Sequence, residues 1–130
     1  MDNQKTILLV EDDQILVKMY TRKFEKEGFK VSSAFDGQEG LNALQSATPK
    51  PNIVLLDVML PKLNGFQLLE KIKQDPSTKE IPVILLTNLG GAQEDRERGK
   101  ALGAVDYLVK SDMTPTQIVE KVKNITGQSV

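Results

Sequence analysis

Ile53-Val54-Leu55-Leu56-Asp57-Val58-Met59-Leu60-Pro61 is the stretch on which the fold turns. Four aliphatic residues in a row, with no polar alternation, predict a strand buried on both faces, as parallel strands under helices are. The run stops on a carboxylate. Three other runs behave alike: Ile7-Leu8-Leu9-Val10 leads into Glu11-Asp12-Asp13, Val83-Ile84-Leu85-Leu86 into Thr87, and Tyr107-Leu108-Val109 into Lys110. Ligands of open parallel sheets gather beyond the carboxyl ends of the strands. If these strands lie side by side and run one way, three carboxylates, a hydroxyl and an ammonium meet in one small volume.

The segments between the runs read as helices. Asp13 to Glu27 carries Leu16, Met19, Tyr20 and Phe24 near helical spacing, and Gly28 supplies the stop. Phe29 to Ala34 is a short strand. Asp36 and Glu39 have the spacing of a capping box, opening a helix through about Gln45. The loop Thr48-Pro49-Lys50-Pro51 precedes the Asp57 strand. Beyond Pro61, the turn Leu63-Asn64-Gly65 leads to a helix with Phe66, Leu69 and Ile72 on one face, broken by Asp75-Pro76-Ser77-Thr78. Gly90-Gly91 gives entry to a charged helix, Ala92 to Leu102, closed by Gly103; Val105 to Val109 is the last strand. Thr114-Pro115-Thr116-Gln117 is a capping box with Pro at the first helical position, and the buried stripe of the final helix includes Ile118, Val122 and Ile125. Five strands alternating with five helices predict one doubly wound α/β domain with a parallel sheet and right-handed crossovers. The expected unit is 1–130, with a core of about 5–126.

At 130 residues the chain is long enough for one domain and too short for two. With 39% hydrophobic and 27% charged residues it falls among ordinary globular chains rather than disordered or membrane ones. No apolar stretch nears the roughly 18 residues that span a bilayer, and Met1-Asp2-Asn3-Gln4-Lys5 lacks a signal-peptide layout, so a cytoplasmic location is expected. A net charge of −1 argues against direct binding to nucleic acid. The chain has no Cys and no His. That removes disulfides, thiolate and imidazole ligands, and the commonest general base. Any metal must be held by oxygen, which favours a hard cation such as Mg²⁺ over zinc.

Glu11, Asp12 and Asp57 with Lys110 leave a charge of −2 where they converge. Like charges some 5 Å apart repel by roughly 3 kcal/mol at an effective dielectric of about 20, so a divalent cation is expected there. A carboxylate, Mg²⁺, Lys and Thr together suit phosphoryl transfer, which is mostly positioning and neutralisation of oxygen charge. Asp57, alone at its strand end, reads as the covalent acceptor; the adjacent Glu11 and Asp12 read as metal ligands. Lys110 would neutralise one phosphoryl oxygen and Thr87 would hydrogen-bond another.

The chain resembles the receiver domains of two-component response regulators, of the stand-alone, chemotaxis-regulator-like kind, over about Lys5 to Thr126. The resemblance is carried by Leu9-Val10-Glu11-Asp12-Asp13, Leu56-Asp57-Val58-Met59-Leu60-Pro61 with Asn64-Gly65, Leu86-Thr87, and Ala101-Leu102-Gly103-Ala104 leading to Tyr107-Leu108-Val109-Lys110. The intervals from 12 to 57 (45 residues), 57 to 87 (30) and 87 to 110 (23) each fit one or two strand–helix steps. The resemblance implies a flavodoxin-like five-stranded sheet in order 2-1-3-4-5. It implies that Asp57 takes a phosphoryl group from the phosphohistidine of a histidine kinase or phosphotransfer protein. Glu11, Asp12, Asp57 and the backbone carbonyl of Met59 would surround Mg²⁺, with Mn²⁺ as a substitute. Thr87 and Tyr107 match the family's switch pair: Thr87 moves toward the phosphoryl group and Tyr107 rotates into the space it leaves. The face of the fourth helix, fifth strand and fifth helix would then bind a downstream protein, the chain being a monomer or a phosphorylation-dependent dimer. Swinging such an equilibrium from 1:99 to 99:1 takes about 5.5 kcal/mol.

Departures from the family pattern carry expectations too. Ser111 stands where most members have Pro, and Asn88 where a small residue usually follows the Thr. Met59 and Leu89, two residues past Asp57 and Thr87, are apolar and cannot orient an attacking water, so autodephosphorylation is expected to be slow. Only a short tail, Thr126 to Val130, ends the last helix; if the chain is complete, its output is protein–protein contact. Three other readings compete. A phosphorylation-independent, receiver-like binding module differs only in the use of the acceptor. An Asp-nucleophile phosphatase of the haloacid dehalogenase type usually has a second Asp where Met59 stands, with no His to replace it. A flavin-binding flavodoxin-like protein needs a phosphate-cradling first loop, which Glu11-Asp12-Asp13 would repel.

Overall fold

The computed structural model describes residues 4–88 and 93–127. The elements follow in the order β1 (Thr6–Val10), α1 (Gln14–Lys26), β2 (Lys30–Ala34), α2 (Gly37–Ser46), β3 (Ile53–Leu56), α3 (Gly65–Gln74), β4 (Val83–Thr87), α4 (Gln93–Ala101), β5 (Asp106–Val109), a 3₁₀ turn (Lys110–Asp112) and α5 (Pro115–Thr126). All pairings are parallel and the sheet order is β2-β1-β3-β4-β5. The doubly wound, flavodoxin-like architecture is as expected. Leu89, Gly90-Gly91 and Ala92 lie outside the described residues, as does the tail beyond residue 127.

The unbroken aliphatic runs have a plain physical cause: both faces of the sheet are dry. Alternate side chains of each strand enter opposite cores. Leu8, Val10, Val54, Leu56, Val83, Leu85, Tyr107 and Val109 join Leu44 of α2 and Phe66, Leu68, Leu69 and Ile72 of α3. Ile7, Leu9, Ile53, Leu55, Ile84, Leu86 and Leu108 join Val17, Tyr20 and Phe24 of α1 and Ile118, Val119 and Val122 of α5. Central β1, β3 and β4 are therefore held from above and below, and their ends are fixed platforms for polar side chains.

Several boundaries shift from those expected. Asp13 caps α1, its Oδ1 accepting from the amides of Ile15 (2.9 Å) and Leu16 (3.2 Å), instead of forming the first turn. Val17 joins Tyr20 and Phe24 on the buried face, with Leu16 and Met19 at its margin. Asp36 caps α2 by accepting from Glu39 N–H at 2.7 Å, but only this forward half of the expected box forms. Ile125 is not in the core stripe: it is 36% exposed, because the buried stripe ends a turn earlier at Val122. The Thr114/Gln117 box is complete, and a second box, Asn64 with Gln67, opens α3. After Lys110 the chain makes a 3₁₀ turn through Ser111.

Candidate functional site

The ladder continues past the ends of the strands and sets the site's spacing. Asp57 N–H donates to Val10 O (3.0 Å) and Glu11 N–H to Ala34 O (3.0 Å), so both acids leave the sheet still in extended register. Asp57 is 8% exposed and Glu11 2%. Burying carboxylates this deeply is costly unless they are paired. Lys110 supplies the pair. Its ammonium donates to Asp57 Oδ2 at 3.2 Å and to Glu11 Oε1. Asp57 Oδ1 accepts from Met59 N–H (3.2 Å) and Glu11 Oε2 from Asp13 N–H (3.1 Å).

Burial by itself pulls the Lys110 ammonium down, but the Glu11 hydrogen bond and the charges of Asp57 and Glu11 outweigh it, and its pKa lies above the ordinary lysine value. Asp12 is more open to solvent. Partial burial, then the hydrogen bond and charge of Glu11, hold its carboxyl above the usual range. Glu11, Asp12 and Asp57 each offer a carboxylate oxygen, and the three lie within 4.8 Å of one another. On one octahedral Mg²⁺ at about 2.0–2.1 Å, trans oxygens are about 4.2 Å apart and cis oxygens about 2.9 Å, so the cluster would close in by up to about 2 Å to share the ion. An all-oxygen set carrying surplus negative charge fits a hard divalent ion.

The turn after Asp57 folds back on the site. Gly65 N–H donates to Val58 O (2.9 Å), and a Cβ at Gly65 would stand 2.3 Å from Asp57 O and 2.7 Å from Val58 Cα. Only glycine lets α3 start this close to the backbone of Asp57 and Val58. Met59, whose amide meets Asp57, leaves its side chain 62% exposed at the mouth.

Thr87 ends β4 beside Val109 and is fully buried. Since Leu56 pairs with Leu85, Thr87 stands one step beyond the level of Asp57 on the neighbouring strand. Tyr107 lies on the same face of the sheet as Thr87 and is already inside, 2% exposed, its hydroxyl without a hydrogen-bond partner among the described residues. An orphaned buried hydroxyl costs about 1–3 kcal/mol. Tyr20 belongs to the buried face of α1, yet its hydroxyl is also within reach of the charges of the site. Burial raises it first, and the charges of Lys110, Glu11 and Asp57 act on it next. Nothing local to Tyr20 marks this, because the contact depends on how α1 packs against the sheet.

An acidic cluster and a buried lysine at the carboxyl end of a 2-1-3-4-5 sheet define the class of protein, and the comparisons agree. The family model of the response regulator receiver domain matches residues 7–123, and the chain belongs to that family. Response regulator PleD of Caulobacter vibrioides is 38% identical over 120 residues, 92% of this chain and 26% of PleD. The chain thus spans about a quarter of that relative. A CheY-like response regulator receiver domain protein from Methanospirillum hungatei superposes with a TM-score of 0.87 at 28% identity, covering 96% of this chain and 95% of that one. The Mn²⁺-bound form of response regulator Rcp1 gives 0.82 at 30% identity, covering 97% and 96%. The chain is a receiver domain of the two-component response regulator family.

Proposed function

We propose that residues 1–130 act as one receiver unit in which Asp57 is the phosphoacceptor. The carrying observation is the clustering of Glu11, Asp12 and Asp57 oxygens within 4.8 Å, with Lys110 bonded to two of the three acids. A carboxylate oxygen of Asp57 forms the new P–O bond as the P–N bond to a donor imidazole breaks. The bonding electron pair stays with the departing nitrogen, which takes up a proton from solvent. Lys110 neutralises one phosphoryl oxygen and the Thr87 hydroxyl donates to another. Glu11, Asp12, Asp57 and the Met59 carbonyl would hold Mg²⁺ or Mn²⁺, which would spread the remaining charge; the manganese in Rcp1 supports this reading.

The donor is a histidine kinase or histidine phosphotransfer protein working in the cytoplasm. A groove of about 630 Å³ between α1 and α5 starts at the site's rim, since Ile15 follows Asp12-Asp13 and Pro115 follows the Lys110 turn. Its Ile15, Met19 and Pro115 are flanked by Lys18, Arg22, Lys23 and Lys26, a surface suited to an acidic, partly apolar donor. Thr87 and Tyr107 then reshape the α4–β5–α5 face for a downstream protein, as a monomer or a phosphorylation-dependent dimer, without direct contact to nucleic acid or membrane.

Incubation with acetyl phosphate and Mg²⁺ tests this reading. One phosphoryl mass should appear on the wild type and none on Asp57→Asn; an unmodified wild type would sink it. A second reading, binding without phosphorylation, is favoured by one observation: Tyr107 is already inside. It predicts equal target affinity with and without the phosphoryl mimic beryllofluoride.

A further inference from the structure

Helix α4 meets the rest of the domain in an unusual way. Its sequence, Gln93-Glu94-Asp95-Arg96-Glu97-Arg98-Gly99-Lys100-Ala101, places only Gly99 in the buried class. A Cβ at Gly99 would stand 2.7 Å from Leu85 Cδ1, so the glycine lets the helix backbone approach Leu85, while the Tyr107 ring lies at ordinary contact distance, 3.5 Å. The apolar seam that normally fixes an amphipathic helix is missing. Two guanidinium groups stand in for it. Arg98 lies 4.2 Å from the centroid of Phe66 in the first turn of α3. Arg96 lies 5.3 Å from the centroid of Tyr107, and its Nη1 donates to the Tyr107 carbonyl at 3.0 Å.

The Arg96 contact bears on the switch. The Tyr107 hydroxyl has no partner among the described residues, so it opposes the inward position, and the forces holding the ring there must act on its faces or on its backbone. Arg96 acts on both. A cation within about 6 Å of a ring centroid is attracted to the ring face, and the planar fork of Arg can stack and donate at once, as Lys cannot.

We infer that Arg96 is a positioning residue for Tyr107: by gripping its ring and its carbonyl, Arg96 favours the inward ring and ties α4 to that position. This rests on the reading of Tyr107 as the moving half of the switch. The carbonyl hydrogen bond is to the backbone and does not depend on the side-chain rotamer, whereas the ring contact is the one made with the ring inward. Arg96 therefore has a differential interaction with the two states, which is what an equilibrium shift requires. By linkage, a variant that depopulates the inward ring also weakens binding of whatever prefers it.

The chain contains two Tyr, so 3-fluorotyrosine labelling yields two ¹⁹F resonances, with Tyr107→Phe assigning one and Tyr20 serving as internal control. In Arg96→Met, which keeps length and loses charge and donor, the Tyr107 resonance should move toward the solvent-exposed position while Tyr20 stays. The midpoint for beryllofluoride with Mg²⁺ should rise about five-fold. Arg96→Lys, which restores the cation without the fork, should recover part of both changes. A Tyr107 resonance unchanged in Arg96→Met would overturn the inference, and so would movement of both tyrosines together, which marks general loosening. If beryllofluoride shifts no resonance of the wild type, the acceptor reading of Asp57 fails instead, and the ligand-free ring shift still decides the role of Arg96.

Discussion

Replacing Asp57, the proposed acceptor, by Asn also removes a buried charge, and the structure sets what this does to stability without divalent cation. Asp57 is repelled by Glu11 and Asp12, whose oxygens lie within 4.8 Å, and attracted by Lys110 at 3.2 Å. At an effective dielectric of about 20, unit charges 4.8 Å apart repel by about 3.5 kcal/mol and opposite charges at 3.2 Å attract by about 5 kcal/mol. The Glu11 contribution applies in full. Asp12 is exposed, so its share lies between about 1 and 3.5 kcal/mol. Repulsion thus amounts to about 4.5–7 kcal/mol against an attraction of about 5. Asn retains an acceptor for Met59 N–H, and Lys110 keeps Glu11. The variant should therefore be between unchanged and about 2 kcal/mol more stable, a rise in Tm of up to about 8 °C. Thermal unfolding in chelator, with and without Mg²⁺, is the assay. Added Mg²⁺ should raise the wild-type Tm by more than that of the variant, since ion binding to the folded state adds stability by mass action. A fall of more than 3 °C in chelator would mean that the Lys110 pair, rather than repulsion, governs this cluster.

Three further outcomes are expected. Gly65→Ala drives a methyl into the Asp57 carbonyl and should cost about 2–3 kcal/mol in urea unfolding and abolish labelling by acetyl phosphate; normal labelling would show that the turn can move freely. Asp36, whose carboxyl is held below its ordinary value by the Glu39 amide first and by Lys62 next, has a depressed folded pKa. Its stabilisation is thus present above about pH 4 and is lost as pH falls through the folded value, and Asp36→Asn should flatten the acid limb of the stability curve. Arg22→Glu reverses a charge beside the α1–α5 groove; it should slow phosphotransfer from the cognate kinase at least ten-fold while leaving acetyl phosphate labelling unchanged, and equal slowing of both would place Arg22 in the site rather than in docking.

Much of this was readable from residues because burial on both sides of a strand leaves a recognisable run. Ile53-Val54-Leu55-Leu56 and its three counterparts could hardly be anything else, and their terminal residues converge once the strands are parallel. Strand order was another matter. Any arrangement of five parallel strands with helices on both faces satisfies the same patterns, so order 2-1-3-4-5 rested on the family resemblance. The Asn64/Gln67 box was present as a local signal and overlooked, hidden by the turn-forming Leu63-Asn64-Gly65. The grips of Arg96 on Tyr107 and of Arg98 on Phe66 had no such signal. A run of alternating charges reads as a solvated face, and only the packed structure shows which guanidinium groups lie over aromatic rings.

The parity of the strands divides the labour of this small protein. Glu11 continues the face of Ile7 and Leu9, and Asp57 that of Ile53 and Leu55, toward α1 and α5; Thr87 and Tyr107 belong to the opposite side, with Val83 and Leu85. The sheet thus stands between the ionic cluster and the Tyr107 ring. The division is not electrostatic isolation: besides burial and the charges of Asp95 and Arg96, the charge of Asp57 still acts on the Tyr107 hydroxyl and helps raise its pKa. In the proposed function, a phosphoryl group on Asp57 is what reaches past the level of Leu86 to Thr87 and so joins the two sides of the sheet.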